Sequence, residues 1–197
     1  EEFVAFDLET TGLNNSTEAI TEIGAVIFRN GEVIDRFETF VNPGKPIPAE
    51  VSRLTGIYDK DVADAPAPAD ALAAFVAFVG DRPVVGHNAD FDMGFVECGC
   101  QAAGIAFHPV VLDTLVLSQM LLPDLRRHKL DIVASRLSLP DFRHHRAADD
   151  AITAAYIMDK FIAMLQEQGV QTIRDITPYL HTLHPSQKAS RRTHHII

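Results

Sequence analysis

An Asn-Gly pair at positions 30–31 separates two segments rich in β-branched and aromatic residues, 22–29 and 32–41. Asn and Gly readily adopt the positive φ values of a two-residue hairpin turn, so the two segments are expected to pair as antiparallel strands. The apolar run at 3–8 predicts a third, buried strand. The chain is therefore expected to fold around a sheet that begins as an antiparallel meander.

After residue 41 the sequence alternates between helical patterns and short apolar runs. The runs at 83–86 and 110–112 predict two more strands. Periodicity, glycine and proline positions and capping residues predict helices over 48–54, 69–79, 90–103, the segment after a cap at Asp113 or Thr114, 129–137 and 147–167. Pro66 and Pro68 are expected to break the chain. The predicted fold class is α/β: a mixed sheet of three antiparallel strands plus two further strands, flanked by helices.

The first strand ends in the motif Asp-Leu-Glu-Thr-Thr-Gly-Leu at 7–13. Because strand side chains alternate in direction, Asp7 and Glu9 are expected on one face, about 7 Å apart. Open sheets usually place their sites at this carboxyl end of the strands. Two acids next to an apolar strand repel each other unless a cation relieves the repulsion. The turn that follows is expected to bring backbone close to a ligand.

Two further acids are predicted near helix starts. Asp92 lies in the first turn of the helix after 83–86, where Asp90 is expected to be a plain N-cap. Asp150 is expected on the core side of the long helix, whereas Asp149 is turned about 100° away and is expected to be exposed. The core side is a poor place for a carboxylate without a partner, so Asp150 is expected to have one.

His145 precedes Asp150 by five residues and is expected to lie just ahead of the long helix. An imidazole titrates near neutrality and suits a general base for water, while the neighbouring His144 is expected to be exposed. Oxygen ligands select Mg²⁺ or Mn²⁺ over zinc. Two such ions about 4 Å apart form a clamp for in-line displacement at phosphorus.

The three motifs together resemble those of the DEDDh 3′–5′ exonucleases, the ribonuclease H-like nucleases named for four acids and a histidine. The matching patterns are Asp-x-Glu-Thr-Thr-Gly-Leu at 7–13, His-Asn-Ala-x-Phe-Asp at 87–92 and His-Arg-Ala-x-x-Asp-Ala at 145–151. The resemblance covers residues 3 to about 165. A tyrosine in place of His145 would have marked the other branch of these nucleases.

The resemblance implies a role for each matching residue. It implies two divalent cations, Mg²⁺ or Mn²⁺, with the metal ligands Asp7, Glu9, Asp92 and Asp150. It implies that His145 is the general base. It also implies substrate contacts from Thr10, Thr11, Gly12, Leu13, His87, Asn88 and Phe91. Among these, Leu13 would wedge against the terminal base and Phe91 would pack near the last nucleotides.

Within these nucleases the chain is most similar to the exonuclease domain of PolC-type DNA polymerase III. The supporting segments are 43–48, 54–57, 112–115, 128–130 and 144–147, together with the tail at 191–197. This resemblance implies an exonuclease domain at 1–168 and a C-terminal appendage at 169–197 that returns into a longer parent protein. The implied partners are a single-stranded DNA 3′ end and the rest of the parent polymerase chain.

Three other interpretations remain open from the sequence. The exonuclease domains of DinG-type helicases share several of the same segments. A nuclease that trims RNA or short oligonucleotides would carry the same catalytic motifs. A catalytically silent nucleic-acid-binding module would have lost a ligand, and all five motif residues are present.

The composition limits the functional classes. At 197 residues, with 47% hydrophobic residues, the chain is expected to form one domain with a sizeable core. Its net charge of −10 argues against charge-driven coating of nucleic acid, but it is compatible with an enzyme that holds a strand end through metals. Basic residues are grouped at 126–129, 143–146 and 191–192. A solvated surface is the alternative interpretation of these groups.

The sequence also indicates a compartment. It contains no apolar run of membrane-spanning length and no signal-peptide pattern, so no membrane association is expected. Cys98 and Cys100 are too close for an easy disulfide and lack the further cysteines of a zinc site. Both are expected to be reduced, which favours the cytoplasm. The start at Glu1 inside a strand pattern is interpreted as a cut from a longer polypeptide.

Overall fold

The structure is a computed structural model that describes residues 2–140 and 146–170. Its centre is a five-stranded sheet with the strand order β3-β2-β1-β4-β5. The strands are β1 (Glu2–Thr10), β2 (Ile20–Arg29), β3 (Glu32–Phe40), β4 (Val84–Gly86) and β5 (Val111–Asp113). β1, β2 and β3 pair antiparallel, and β4 and β5 run parallel to β1. The predicted mixed sheet is confirmed.

Seven helices lie within the described residues. They are α1 (Ala49–Thr55), α2 (Asp59–Val62), α3 (Pro68–Val79), α4 (Ala89–Ala103), α5 (Thr114–Leu121), α6 (Leu130–Arg136) and α7 (Ala147–Glu167). Among the described residues, no helix is both long and apolar enough to cross a membrane. The predicted helices are confirmed, apart from differences of a few residues at their ends.

The hairpin turn forms as the Asn-Gly pair predicts. Asn30 and Gly31 have φ angles of 52° and 85°, and Arg29 pairs with Glu32 across the turn. Both central residues of this two-residue turn therefore adopt positive φ, which matches the twist of the flanking strands.

Strand alternation divides the core into two layers. On β1, Phe3 and Ala5 face the layer formed with α5, α6 and α7. Val4, Phe6 and Leu8 face the opposite layer, which is formed mainly with α3 and α4. The odd-numbered side chains of β1 therefore point toward α7, and Asp7 and Glu9 share this direction.

Two local details differ from the sequence analysis. Pro66 lies in the irregular segment between α2 and α3, as expected, but Pro68 is the first residue of α3, where its fixed φ fits and no backbone N–H is needed. The sequence analysis also missed α2, a single turn of four residues that is too short to show periodicity. Its start is held by Asp61, whose carboxylate accepts the Tyr58 N–H at 2.9 Å.

Candidate active site

Three of the four predicted acids converge at the carboxyl end of β1. Carboxylate oxygens of Asp7, Glu9 and Asp150 all lie within 4.8 Å of one another. β1 supplies the first two on its α7-facing side, and Asp150 is the fourth residue of α7, which begins at Ala147. Three carboxylates at this spacing are a ligand set that suits a hard divalent cation.

Gly24 explains how the start of α7 reaches this position. Gly24 lies opposite Asp7 in the β1–β2 register. A Cβ atom on Gly24 would lie 2.1 Å from the Ala148 nitrogen and 2.2 Å from the Ala147 carbonyl carbon. The helix backbone therefore packs directly on β2, and this close approach brings Asp150 beside Asp7.

Asp92 joins the acids from the other side of β1. The Val4 N–H donates to Pro83 O at 2.9 Å, so the Leu8 N–H also points toward β4, but β4 ends at Gly86. Asp92 Oδ1 takes the place of the missing strand and accepts the Leu8 N–H at 3.2 Å. Burial raises the pKa of Asp92 well above its ordinary value, and this hydrogen bond opposes the rise.

Burial and, after it, repulsion between the carboxylates both disfavour negative charge on the acids of this cluster. Burial raises the pKa of Asp7 well above its usual value, and the carboxylates of Asp92 and Asp150 raise it further. Burial, followed by the charges of Asp150 and Glu22, raises the pKa of Glu9 to about 7. The cluster is therefore stable only when it takes up protons or binds cations.

A fifth acid, Glu22, lies beside the cluster and was missed by the sequence analysis. Glu22 is buried and lies opposite Glu9 in the β1–β2 register. Its Oε1 accepts Arg146 Nε and Nη2 at 2.9 and 2.6 Å, and its Oε2 accepts the Ala147 N–H at 3.2 Å. Because Glu22 is the only charged side chain between Ile20 and Phe28, a lone charge in a buried strand was the available signal.

The turn after β1 is held by its own threonines. Thr10 Oγ1 donates to Gly12 O at 2.7 Å, and Thr11 Oγ1 donates to Glu18 Oε2 at 2.6 Å. Leu13, in contrast, is 64% exposed. The hydroxyls shape the turn that presents Leu13, and direct contact of these residues with a substrate stays a prediction.

The same turn packs across α4. A Cβ atom on Gly94 would lie 2.4 Å from Asn15 Nδ2, so the loop after Leu13 contacts the helix directly. Phe91 lies three residues before Gly94, on the same face of α4, and its ring centre lies 5.2 Å from that of Phe95, with the two rings tilted at 58°. Leu13 and Phe91 therefore lie on neighbouring parts of one surface.

His87 and Asn88 organise the turn between β4 and α4. The ring nitrogens of His87 hydrogen-bond to Thr114 Oγ1 at 2.9 Å and to His128 O at 2.8 Å. Burial lowers the pKa of His87 to about 4, so the ring is neutral near pH 7. Asn88 adopts a positive φ of 71° and donates its N–H to Asp113 Oδ1 at 3.0 Å. Their predicted substrate contacts stay predictions.

The neighbouring acids differ from expectation. The N-cap of α4 is Asn88, and Asp90 is the second residue of the helix, so the N-cap assignment of Asp90 was wrong. Asp90 is exposed, but Asp149 is half-buried instead of exposed, because the start of α7 lies directly on β2. His145 and its neighbour His144 lie outside the described residues.

A comparison with family models shows the family to which the chain belongs. Residues 4–158 match the family model described as Exonuclease. The chain belongs to the exonuclease family. The matched residues include Asp7 and Glu9 on β1, Asp92 on α4 and Asp150 on α7. The match confirms the family resemblance drawn from the three motifs.

Comparison with a curated relative indicates which group within the family the chain is similar to. The chain is 42% identical over 179 residues to "DNA polymerase III PolC-type" from Caldanaerobacter subterraneus subsp. tengcongensis, a match that covers 91% of this chain and 13% of the relative. The chain thus spans about an eighth of the length of that relative. The similarity supports the PolC-type interpretation over the DinG-type alternative.

Solved structures show the same fold at low sequence identity. One is "Exonuclease X in complex with 5′ overhanging duplex DNA", with a TM-score of 0.71, 22% identity, and coverage of 89% of this chain and 98% of that chain. Another is E. coli Exonuclease I in complex with a dA16 oligonucleotide, with a TM-score of 0.74, 16% identity, and coverage of 97% and 45%. They support the ribonuclease H-like fold class.

Proposed function

We propose that this exonuclease domain removes nucleotides from DNA 3′ ends and serves as the proofreading domain of a PolC-type replicative DNA polymerase. The convergence of Asp7, Glu9 and Asp150 within 4.8 Å at the carboxyl end of β1 carries the proposal. The PolC-type relative and the DNA named in the descriptions of both structural neighbours support DNA as the substrate.

The cofactors in this proposal are two divalent cations, Mg²⁺ or Mn²⁺. Asp7, Glu9 and Asp150 would hold them together with Asp92, and the all-carboxylate donor set fits hard cations. When bound, such a pair neutralises the charge that develops at phosphorus and on the departing sugar oxygen. Burial, together with repulsion from the neighbouring acids, raises the pKa of Asp7 and of Glu9, and this supports a site built for cations.

Residues of the chain supply the remaining chemistry. His145 would accept the proton of the attacking water, a role that suits an imidazole at neutral pH. The exposed Leu13 and the half-buried Phe91 would contact the terminal bases of a single strand. His87, with both ring nitrogens bonded inside the protein, would support the turn that places Asn88 and Phe91.

The proposal extends to the parent protein. Residues 1–168 would be the exonuclease domain, and 169–197 would return into the polymerase chain, since the PolC-type relative is far longer than this chain. Both cysteines are free, with Cys98 exposed and Cys100 buried. Reduced thiols agree with action in the cytoplasm.

Hydrolysis of an end-labelled oligonucleotide tests the function. A single-stranded DNA labelled at its 5′ end should shorten stepwise from the 3′ end in Mg²⁺ or Mn²⁺, and should release nucleoside monophosphates. A DNA blocked by a 3′-phosphorothioate linkage is the control and should resist. A matched RNA oligonucleotide should be cut more slowly. Undiminished hydrolysis in excess EDTA, or faster hydrolysis of the RNA, would contradict the proposal.

A further inference from the structure

We propose that Glu22 and Arg146 are a pair of positioning residues that set the place of Asp150 beside Asp7 and Glu9. The inference rests on the proposed metal site and adds to it two residues that neither bind the metal nor touch the reacting phosphate. Glu22 comes from β2 and Arg146 immediately precedes α7. We call these two residues the Glu22–Arg146 clamp.

The clamp uses both oxygens of a buried carboxylate. Glu22 Oε1 accepts two N–H groups of the Arg146 guanidinium, and Oε2 accepts the Ala147 N–H. Arg146 is the N-cap residue of α7 but makes no side-chain cap hydrogen bond. A carboxylate from a neighbouring strand therefore satisfies the first N–H of the helix, where a negative charge is also favoured by the helix dipole.

The ring of Phe40 packs against the guanidinium of Arg146. Phe40 pairs with Glu22 across β2 and β3, and the guanidinium carbon of Arg146 lies 5.3 Å from the centre of its ring. A planar guanidinium can stack on a ring and donate to a carboxylate at the same time. The Arg146 side chain is 51% exposed, yet its head group contacts two residues on adjacent strands.

Backbone hydrogen bonds connect Arg146 to Asp150. The Arg146 carbonyl accepts the N–H of Asp149 at 3.0 Å and of Asp150 at 3.1 Å. The start of α7 is thus fixed at Arg146 by Glu22, and Asp150 follows one helical turn later. Gly24 permits the approach of the helix backbone, but a glycine offers no group that could hold it there. The clamp supplies that attachment.

The clamp also avoids adding an uncompensated charge to the cluster. Glu22 lies opposite Glu9, where an isolated carboxylate would increase the repulsion among the acids. The charge of Arg146 lowers the pKa of Glu9 and so opposes the effect of Glu22. With both oxygens engaged by N–H donors, Glu22 is placed to orient a ligand and not to be one.

The direction in which Arg146→Gln changes the Mn²⁺ affinity distinguishes a positioning role from a purely electrostatic one. Arg146→Gln removes a positive charge near the cation site, so an electrostatic role alone would make cation binding tighter. A positioning role makes it weaker, because Asp150 loses its fixed place. We expect Mn²⁺ binding, measured by titration calorimetry on the whole chain, to weaken by roughly tenfold or more. Arg36→Gln, on the exposed side of β3, is the matched control and should leave binding unchanged.

Kinetics and a second variant complete the test. At saturating Mn²⁺, Arg146→Gln should lower kcat for the p-nitrophenyl ester of thymidine monophosphate with KM within about twofold, since only the ligand geometry is disturbed. Glu22→Gln keeps an acceptor for the Ala147 N–H and should retain more of the Mn²⁺ affinity than Glu22→Ala. The double variant Glu22→Gln/Arg146→Gln should be no worse than the weaker-binding single variant, because the two residues act as one unit.

Several results would overturn the inference. Tighter Mn²⁺ binding by Arg146→Gln would indicate a purely electrostatic role, and a higher KM alone would indicate a substrate contact. Loss of one bound Mn²⁺ per chain in Glu22→Gln would make Glu22 a ligand. Wild-type protein that binds no Mn²⁺ would instead refute the proposed metal site itself. If Glu22→Ala does not fold, as judged by circular dichroism, the two glutamine variants still decide the question.

Discussion

Gly24 of β2 lies directly beneath the Ala148 backbone of α7, where a Cβ atom would come within 2.1 Å of the Ala148 nitrogen. This contact joins a strand to a helix start that is 124 positions later in the chain. It places Asp150 over the side of β1 that carries Asp7 and Glu9. The spacing of the acid cluster therefore depends on the absence of a side chain at one position.

Gly24→Ala should displace the start of α7 and reduce activity strongly. The added methyl group meets backbone atoms, which cannot move aside as a side chain can, so we expect a loss of stability of about 1–3 kcal/mol. Thermal unfolding and turnover on single-stranded DNA measure the two effects. Gly99→Ala is the control: its Cβ would meet the side chain of Leu72 and no backbone atom, with Leu72 Cδ1 at 2.4 Å, and near-normal turnover is expected. Equal behaviour of the two variants would contradict this role of Gly24.

Asp92→Ala and Asp150→Ala should each abolish turnover, whereas Asp90→Ala and Asp149→Ala should leave most of it. Asp92 reaches β1 through the Leu8 N–H, while Asp90 is exposed on the same helix. Steady-state hydrolysis of single-stranded DNA compares the four variants. If Asp149→Ala were the inactive one, the assignment of the ligand on α7 would be wrong.

The stability of the metal-free domain should fall as pH rises through 7. The pKa of Glu9 is about 7 in the folded state against an ordinary 4.5. The folded state therefore holds this proton more tightly, and the stabilisation is complete below pH 4.5 and is lost as pH approaches 7. The pKa values of Asp7 and Asp92 are raised too, in the same direction. The pKa of His87 is lowered to about 4, so the contribution of His87 has the opposite sign: the domain loses stability as pH falls below 6.5.

Thermal melts in EDTA, with Glu9→Gln as reference, isolate the Glu9 contribution. At pH 8 Glu9→Gln should be more stable than the wild type by on the order of 2 kcal/mol, and at pH 4.5 the difference should vanish. Millimolar Mn²⁺ should raise the wild-type midpoint most at the higher pH, because cations then replace the lost protons. If the difference in stability between the two proteins does not change with pH, the pKa of Glu9 is not raised by folding and this prediction is wrong.

His145→Ala should lower turnover by roughly two to four orders of magnitude, the usual range for general-base catalysis. Binding of DNA and Mn²⁺ should change far less, because the four acids remain. The wild-type rate should rise with pH as the imidazole loses its proton, and this limb should disappear in the variant. Metal-bound water also titrates near neutrality, so the comparison of the two pH profiles is the decisive measurement. A variant with near-normal turnover and the same limb would show that His145 only positions the water.

Much of the fold follows from short-range patterns. The Asn30–Gly31 hairpin depends on the φ preferences of two residues, and its geometry is the expected one. Strand alternation places Asp7 and Glu9 on one face, and helical spacing turns Asp150 toward the sheet. The Asp113 cap of α5 is likewise local: its Oδ1 accepts the Leu115 N–H at 2.8 Å. These features arise from interactions within a few residues, and a sequence displays such neighbours directly.

Other features were decided by tertiary contacts. The Asn88 N-cap depends on Asp113, 25 positions away, which accepts the N–H of this strained turn. The attachment of Asp92 to Leu8 exists because β4 ends before β1 does, and the two residues are 84 positions apart. Glu22 contacts Ala147 across 125 positions. The sequence shows that a buried strand contains one glutamate, but it does not show the partner of that glutamate. The partner is decided only when the sheet and α7 pack together. The physical reason is that a buried charge needs hydrogen-bond donors, and here the fold brings those donors from far along the chain.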